Sequence, residues 1–262
     1  MLIVSGHIIA FVLLILFCAI IFASIRRAQT KAPWIRKMAA LDAIEEVVGR
    51  ATEIGRPIVF TQGTGSNDSL YTAEGGPQIV AGLSVLSYMS QLIAKYNTKL
   101  ICGVGHADAL LPTMETVRAG YMAAGRPEAF NEDMIRYLSP SQGAYASAVM
   151  DIINTEKAAA TVVIGPLWAE SLMFLFQGAD VGAIQIGGST YTHQLPFIAA
   201  VCDYMLIGEE VYAASAYLSK EPSLLGSIIG EDITKILAIA LVIIAVVASV
   251  IGARGFLNII RL

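Results

Sequence analysis

Five short segments hold most of the side chains that could do chemistry: QGTGSND at 62–68, GVGHAD at 103–108, SPSQ at 139–142, GGSTYTH at 187–193 and GEE at 208–210. Each follows a short apolar run and leads into a helical pattern. In an open parallel α/β sheet, ligands bind beyond the carboxyl ends of the strands, where strand order reverses. The first segment is the richest. Gly63 and Gly65 allow tight turning and close backbone approach, while Ser66, Asn67 and Asp68 offer donors and acceptors. It is no P-loop, because no Gly-Lys-Ser/Thr follows. A plain strand-to-helix turn capped by Asn67 or Asp68 accounts for the same residues.

Gly103-Val104-Gly105-His106 begins like a dinucleotide fingerprint, after a strand and before a helix. Asp108 stands where the third small residue would be, and its carboxylate would repel a pyrophosphate at that helix terminus. His106 and His193 each sit in a strand-end segment and could supply acid–base chemistry or two metal ligands, with Asp68, Asp108, Glu170, Glu209 and Glu210 as companions. Local hydrogen bonding or helix capping is the competing reading of both histidines and the simpler one. Ser66, Ser139 and Ser189 lack a G-x-S-x-G elbow. Cys102 and Cys202 read as small buried apolar residues. The candidate ligand-binding set is therefore Gly63, Gly65, Ser66, Asn67, Asp68, Gly103, Gly105, His106, Ser139, Gln142, Gly188, Ser189, His193 and Glu209. It identifies no catalytic residue, metal site or cofactor.

The elements that must position these residues alternate. An amphipathic helix opens at Pro33-Trp34, with Met38, Leu41, Ile44, Val47 and Val48 at helical spacing, and Trp34 suits a bilayer headgroup level. Strands are expected at 57–61, 98–102, 135–138, 161–164, 183–186 and 204–207. Helices are expected at 77–96, 108–124, 142–155, 168–176 and from 209 to 218. The runs are apolar rather than strictly alternating, as when helices cover both sheet faces. The expected fold is a doubly wound, mostly parallel, Rossmann-like α/β domain.

Composition adds a second feature. The chain has 262 residues, 56% of them apolar and only 15% charged, with a mean hydropathy of +0.66. The excess gathers at the ends. Residues 8–25 and 236–253 carry no charge, and each run of about 18 residues reaches roughly 27 Å, near the hydrocarbon thickness. A cleaved signal peptide is the competing reading of the first run, but the leader has no Lys or Arg and the run enters Arg26-Arg27 with no small-residue cleavage site. A buried helix is the competing reading of the second, which has only Ser249 as a polar residue.

The expected domains are one membrane helix within 1–25, a basic juxtamembrane segment and amphipathic helix at 26–56, the α/β domain at 57–220, a linker at 221–235, a second membrane helix at 236–253 and a tail at 254–262. Arg26, Arg27, Lys31, Arg36 and Lys37 follow the first span, so the positive-inside rule puts the central domain in the cytoplasm and both termini outside; Arg254 and Arg261 are a mild counter-signal. A net charge of −4 argues against nucleic acid as a partner. Three cysteines give no disulfide framework.

GRPIVFTQGTGSND, AGLSVLSYMSQLIAKY, RYLSPSQGAYAS, GAIQIGGSTYTHQLPFIAAVCDYMLIGEEVYAASAYLS and the apolar tail resemble a family of uncharacterised prokaryotic membrane proteins. The resemblance implies a bacterial or archaeal membrane protein with a cytoplasmic domain, and it transfers no activity. Small residues in the second run (Ala238, Ala240, Ala245, Ala248, Ser249, Gly252) favour close helix packing. A homo-oligomeric membrane scaffold, with the bilayer and further copies as partners and a small-ligand pocket at the strand ends, is the expected function. A membrane-tethered ligand-binding domain or enzyme for a small anionic metabolite or nucleotide, or an accessory subunit of a membrane complex, is the alternative.

Overall fold

Short runs rich in Val, Ile and Phe cannot bury both faces alone, so they pair edge to edge and take helices over each face. In the computed structural model of the chain, which describes residues 8–31, 36–63 and 69–250, six such runs form one sheet. They are β1 (Ile58–Thr61), β2 (Leu100–Val104), β3 (Ile135–Tyr137), β4 (Ala160–Ile164), β5 (Ile184–Ser189) and β6 (Tyr204–Ile207). Their spatial order is β3-β2-β1-β4-β5-β6. All pairings are parallel, and Ile58 faces Leu100 on one side and Ala160 on the other. This is the Rossmann strand order, with its reversal between β1 and β4.

The helices of this unit are α2 (Ala39–Ile54), α3 (Gly75–Tyr96), α4 (Ala107–Ala123), α5 (Gln142–Glu156), α6 (Glu170–Asp180), α7 (Leu195–Val201) and α8 (Glu210–Ser219), while α1 (Ile8–Thr30) and α9 (Pro222–Val250) lie outside it. Helices α2, α3 and α4 pack side by side, as do α5, α6 and α7. Right-handed crossovers send these two sets to opposite faces once the chain changes direction after β3. Met38, Leu41, Ile44, Val47 and Val48 are all buried, as their spacing requires. Pro33 and Trp34 lie outside the described residues.

The end of β5 and the helix that follows it differ from the sequence expectation for a shared reason. Gly187, Gly188 and Ser189 are the last residues of β5, not a loop after it. A Cβ at Gly187 would sit 2.6 Å from Ile198 Cγ2 and 2.6 Å from Cys202 Sγ. Glycine there lets α7 close onto the strand. With seven residues, α7 is too short to leave a periodic pattern.

Contacts divide the chain into Arg36–Leu218, which holds the sheet, and a second unit formed from Met1–Ile35 with Ser219–Leu262. Within the second unit α1 and α9 pack against each other. The segment expected as a linker at 221–235 is helical, and α9 runs unbroken from Pro222 to Val250; residues 251–253 of the expected span lie outside the described residues. The two helices approach closely at Gly226 and Gly230. A Cβ on Gly226 would lie 2.6 Å from Ile25 Cα, and one on Gly230 would lie 2.7 Å from Ile21 Cα. Higher numbers on α9 meet lower numbers on α1, so the pair is antiparallel. This is small-residue packing of the G-x-x-x-G kind.

Where the sequence reading expected two apolar helices flanking the domain, three helices among the described residues are long and apolar enough to cross a membrane: Ala10–Thr30, Gly75–Tyr96 and Pro222–Val250. They differ in surroundings. The apolar window of α3 is 61% buried, against 0% for α1 and 6% for α9.

Candidate functional site

At the reversal of strand order the ends of β1 and β4 touch. Gly63 follows β1, and a Cβ there would lie 2.6 Å from Leu167 Cδ2 and 2.9 Å from the Pro166 carbonyl. Gly165 follows β4, and its Cβ would lie 2.2 Å from the Gln62 carbonyl. Only glycine permits this backbone-to-backbone closure, which forms the floor of the crevice.

Around that floor the chain gathers buried polar groups. Helix α5 returns from the β3 edge over β2 and β1 and brings Gln142 and Tyr145 with it. The fully buried Tyr145 has its hydroxyl on Thr61 Oγ1, and it donates to the Gly103 carbonyl at 3.2 Å. Thr61 Oγ1 also accepts from the Gly63 N–H at 3.2 Å. Burial drives the Tyr145 hydroxyl well above the usual tyrosine range, and the Glu170 carboxylate adds to the shift. Tyr145 is a neutral strut at any physiological pH.

Glu170 is 2% exposed and opens α6, where the helix dipole favours a carboxylate. Its Oε1 accepts from the Trp168 N–H at 3.3 Å, and its Oε2 accepts from Gln142 Nε2 at 2.5 Å. A carboxylate of the chain itself thus occupies the N-terminus of α6, a position whose dipole favours an anion.

A second group lies on the β5 side. Buried Gln78, in the first turn of α3, has its Oε1 3.3 Å from Ser189 Oγ, which donates to it, and accepts from the Thr190 N–H at 3.1 Å. Beyond it Trp168, Tyr191 and His193 form an aromatic trio. Ring centroids are 5.8 Å apart for Trp168–Tyr191, 5.0 Å for Trp168–His193 and 5.4 Å for the stacked Tyr191–His193 pair. Trp168 and His193 are exposed, so the trio presents an aromatic surface at the ends of β4 and β5.

The residues expected from sequence do not form one pocket. Gly63, Gln142 and Gly103 meet through Tyr145 and Glu170 at the switch point. Ser189 and His193 belong to the β5 side. Ser139 follows β3 and Glu209 follows β6, the two opposite edges, five strand spacings or about 24 Å apart. Ser139 Oγ accepts from the Ser141 N–H at 3.1 Å, which shapes the turn into α5. Gly188 is core: a Cβ there would meet Leu206 Cβ at 3.0 Å. Gly65, Ser66, Asn67 and Asp68, with Thr64, lie outside the described residues.

The GxG at 103–105 is not a phosphate loop, for Gly103 and Val104 are strand residues of β2. In this strand order a dinucleotide loop would follow β1. Asp108 accepts from the Leu70 N–H at 2.8 Å and so anchors the 69–72 turn. His106 and His193 follow β2 and β5, whose ends are about 14 Å apart across β1 and β4. Among the described residues no three His, Cys, Asp or Glu side chains gather as metal ligands. Burial raises the Cys102 thiol, and burial with the Asp203 carboxylate raises Cys202 to about 12. Neither cysteine is a thiolate nucleophile at neutral pH.

Sequence reasoning missed Tyr145, Gln78, Trp168 and Tyr191. Each lies inside a helix or turn whose approach to the switch point depends on the crossover path. A separate hollow lined by Arg118, Met122, Phe130, Asn131 and Asp133 includes residues that lead into β3, so it lies toward the opposite end of that strand.

The family described as Domain of unknown function (DUF6754) matches residues 2–260, and the chain belongs to it. Neither a curated protein nor a solved structure matches the chain.

Proposed function

We propose that this member of the DUF6754 family is a two-pass membrane protein that holds its Rossmann-like domain at the cytoplasmic face and assembles with further copies of itself as a scaffold. One observation carries the reading: α1 and α9 form an antiparallel pair with a small-residue seam inside and large apolar side chains outside. Phe11, Val12, Leu14, Ile15 and Phe22 on α1, and Ile236, Ile239, Val242 and Val247 on α9, are all more than 40% exposed. Such faces are solvated by lipid or by another helix, not by water. An antiparallel pair also puts the start of α1 and the end of α9 on one side. The basic run Arg26, Arg27, Lys31, Arg36 and Lys37 then favours the cytoplasm for the central domain. Helix α3 is the weaker span candidate, because most of its apolar window already packs within the α/β unit.

The test is extraction and mass. The full chain should stay with membranes after an alkaline wash and, in mild detergent, run as a homo-oligomer. Release into water overturns the membrane reading; a monomer in mild detergent overturns the assembly.

A second reading rests on the aromatic trio. Trp168, Tyr191 and His193 stand at the strand ends where a small planar or anionic metabolite would bind. Trp168 reports on it directly, since Trp34 is the only other tryptophan. In a W34F background, a binding metabolite should change Trp168 fluorescence and raise Tm, and H193A should remove both effects. No response across a broad metabolite and nucleotide panel would refute the pocket.

A further inference from the structure

The packing of α1 on α9 fixes a register that sequence windows do not reveal. Gly226 meets Ile25, and Gly230 meets Ile21. In an antiparallel pair at 1.5 Å per residue, each α9 residue is level with the α1 residue whose number brings their sum to about 251. The burial pattern follows the same rule further along. Half-buried Thr234, Ala238 and Leu241 fall level with half-buried Phe17, Leu13 and Ala10. Glu231 is then level with Ile20, Asp232 with Ala19 and Lys235 with Leu16. The uncharged run of α1 ends at Ile25, which is level with Gly226, whereas that of α9 begins only at Ile236. The two apolar runs are offset by ten residues, about 15 Å.

No single bilayer position suits both runs. A bilayer set by α9 leaves residues 16–25 of α1, ten uncharged residues or about 15 Å, outside the apolar layer. A bilayer set by α1 submerges Glu231, Asp232 and Lys235, with Lys235 about 13 Å inside the Ile25 boundary. The second placement keeps both helices as spans, at the expense of charges in lipid. Glu231 pairs with Lys235 on the same helix at 3.0 Å. With Asp232, the turn carries two carboxylates and one ammonium. Ionisable groups at this depth face a partner or a polar cavity rather than lipid.

We propose that the 231–235 turn of α9 lies inside the apolar layer and is the surface on which a second copy of this chain docks, Lys235 of one copy meeting Asp232 of the next. The proposal rests on the two-pass, self-assembling reading above. Charge complementarity selects the occupant. The turn holds both signs, and copies related by an axis normal to the membrane place the two groups only three residues, about 4.5 Å, apart in depth. A lysine side chain spans that difference. Around the turn, Ile233, Ile236 and Ile239 are exposed and extend the same face with apolar contact.

The experiment uses the full chain in phosphatidylcholine–phosphatidylglycerol nanodiscs, with nitroxide labels at Cys18 and, in a C18A background, at I233C. The register puts these positions level, so oxygen and nickel-chelate accessibility should place both labels at one depth, about 10 Å inside the Ile25 boundary. In mild detergent, K235E should raise the dissociation constant of the oligomer at least tenfold, and the exchange D232K/K235D should restore it. The Cys18 label, read in each variant, shows whether the helix pair is intact. An I233C label at headgroup level overturns the register. K235E assembling as tightly as wild type, with the helix pair intact, overturns the docking surface and leaves the oligomer reading standing. Wild type monomeric in detergent overturns both.

Discussion

Replacing Gly165 with alanine tests the closure of the switch point. The new Cβ would lie 2.2 Å from the Gln62 carbonyl oxygen, 3.0 Å from its carbon and 3.1 Å from its Cα. An ordinary carbon–oxygen contact is roughly 1 Å longer, and every atom in the way is backbone, so no side chain can swing aside. Overpacking of a tight site costs about 1–3 kcal/mol. For a unit of this size each kcal/mol moves Tm by about 2–4 °C, so G165A should melt roughly 2–12 °C lower. Gly143 is the control: nothing lies within 4 Å of its Cβ position in the first turn of α5, and G143A should be neutral or gain up to about 1 kcal/mol. Both variants are read as full chains in detergent by thermal melting of the α/β unit. If G165A melts within a degree of wild type while G143A behaves as stated, the ends of β1 and β4 are not in contact. The crevice floor described above would then be wrong.

Two further substitutions probe the polar framework. Glu156, at the end of α5, holds Lys99 at 2.7 Å and Arg136 at 3.3 Å, chiefly through the Lys99 hydrogen bond, and this lowers its carboxyl below the usual value. A lowered folded pKa contributes stability above the unfolded value near 4.3 and loses it as pH falls through the folded value. E156Q should therefore be less stable than wild type by about 0.5–1.5 kcal/mol at pH 7 and converge with it in acid, as chemical denaturation at pH 7 and pH 3 would show; a gap independent of pH refutes it. Y145F strips the hydroxyl from Thr61 and the Gly103 carbonyl inside the core and should lower stability by about 1–3 kcal/mol; a melt unchanged from wild type would mean these groups find other partners.

The sheet was legible because each strand is a short apolar run closed by polar or glycine residues, and runs such as IVF at 58–60 and TVVI at 161–164 have nowhere to go but a two-sided core. The amphipathic stripe of α2 was legible for the same reason. The glycines misled. Gly103, Gly187 and Gly188 look like loop residues, but their lack of a side chain serves close packing of Leu138, Ile198 and Leu206 against the sheet. Sequence alone does not separate a glycine that turns from one that lets a neighbour in. The switch-point network was hidden differently. Thr61, Gly103, Gln142, Tyr145 and Glu170 come from four elements, and nothing local in any of them signals that α5 carries Tyr145 across two strands.

The terminal helices show a sharper limit. Hydropathy assigns each residue an environment from its own neighbours in sequence, which is why 221–235 reads as a polar linker and 236–253 as a span. Depth in a membrane, however, is a property of the packed pair. Once Gly226 and Gly230 bring α9 to within one side chain of α1, the height of Glu231 and Asp232 is set by where α1 sits. The two glycines within the segment expected as a linker become the contact that locks the register. A substitution at Gly226 therefore acts on position as well as on stability, because a side chain there must part the helices or slide one along the other. A slide toward matched apolar runs would lift Glu231, Asp232 and Lys235 out of the lipid, and the charged turn would lose the depth that makes it selective.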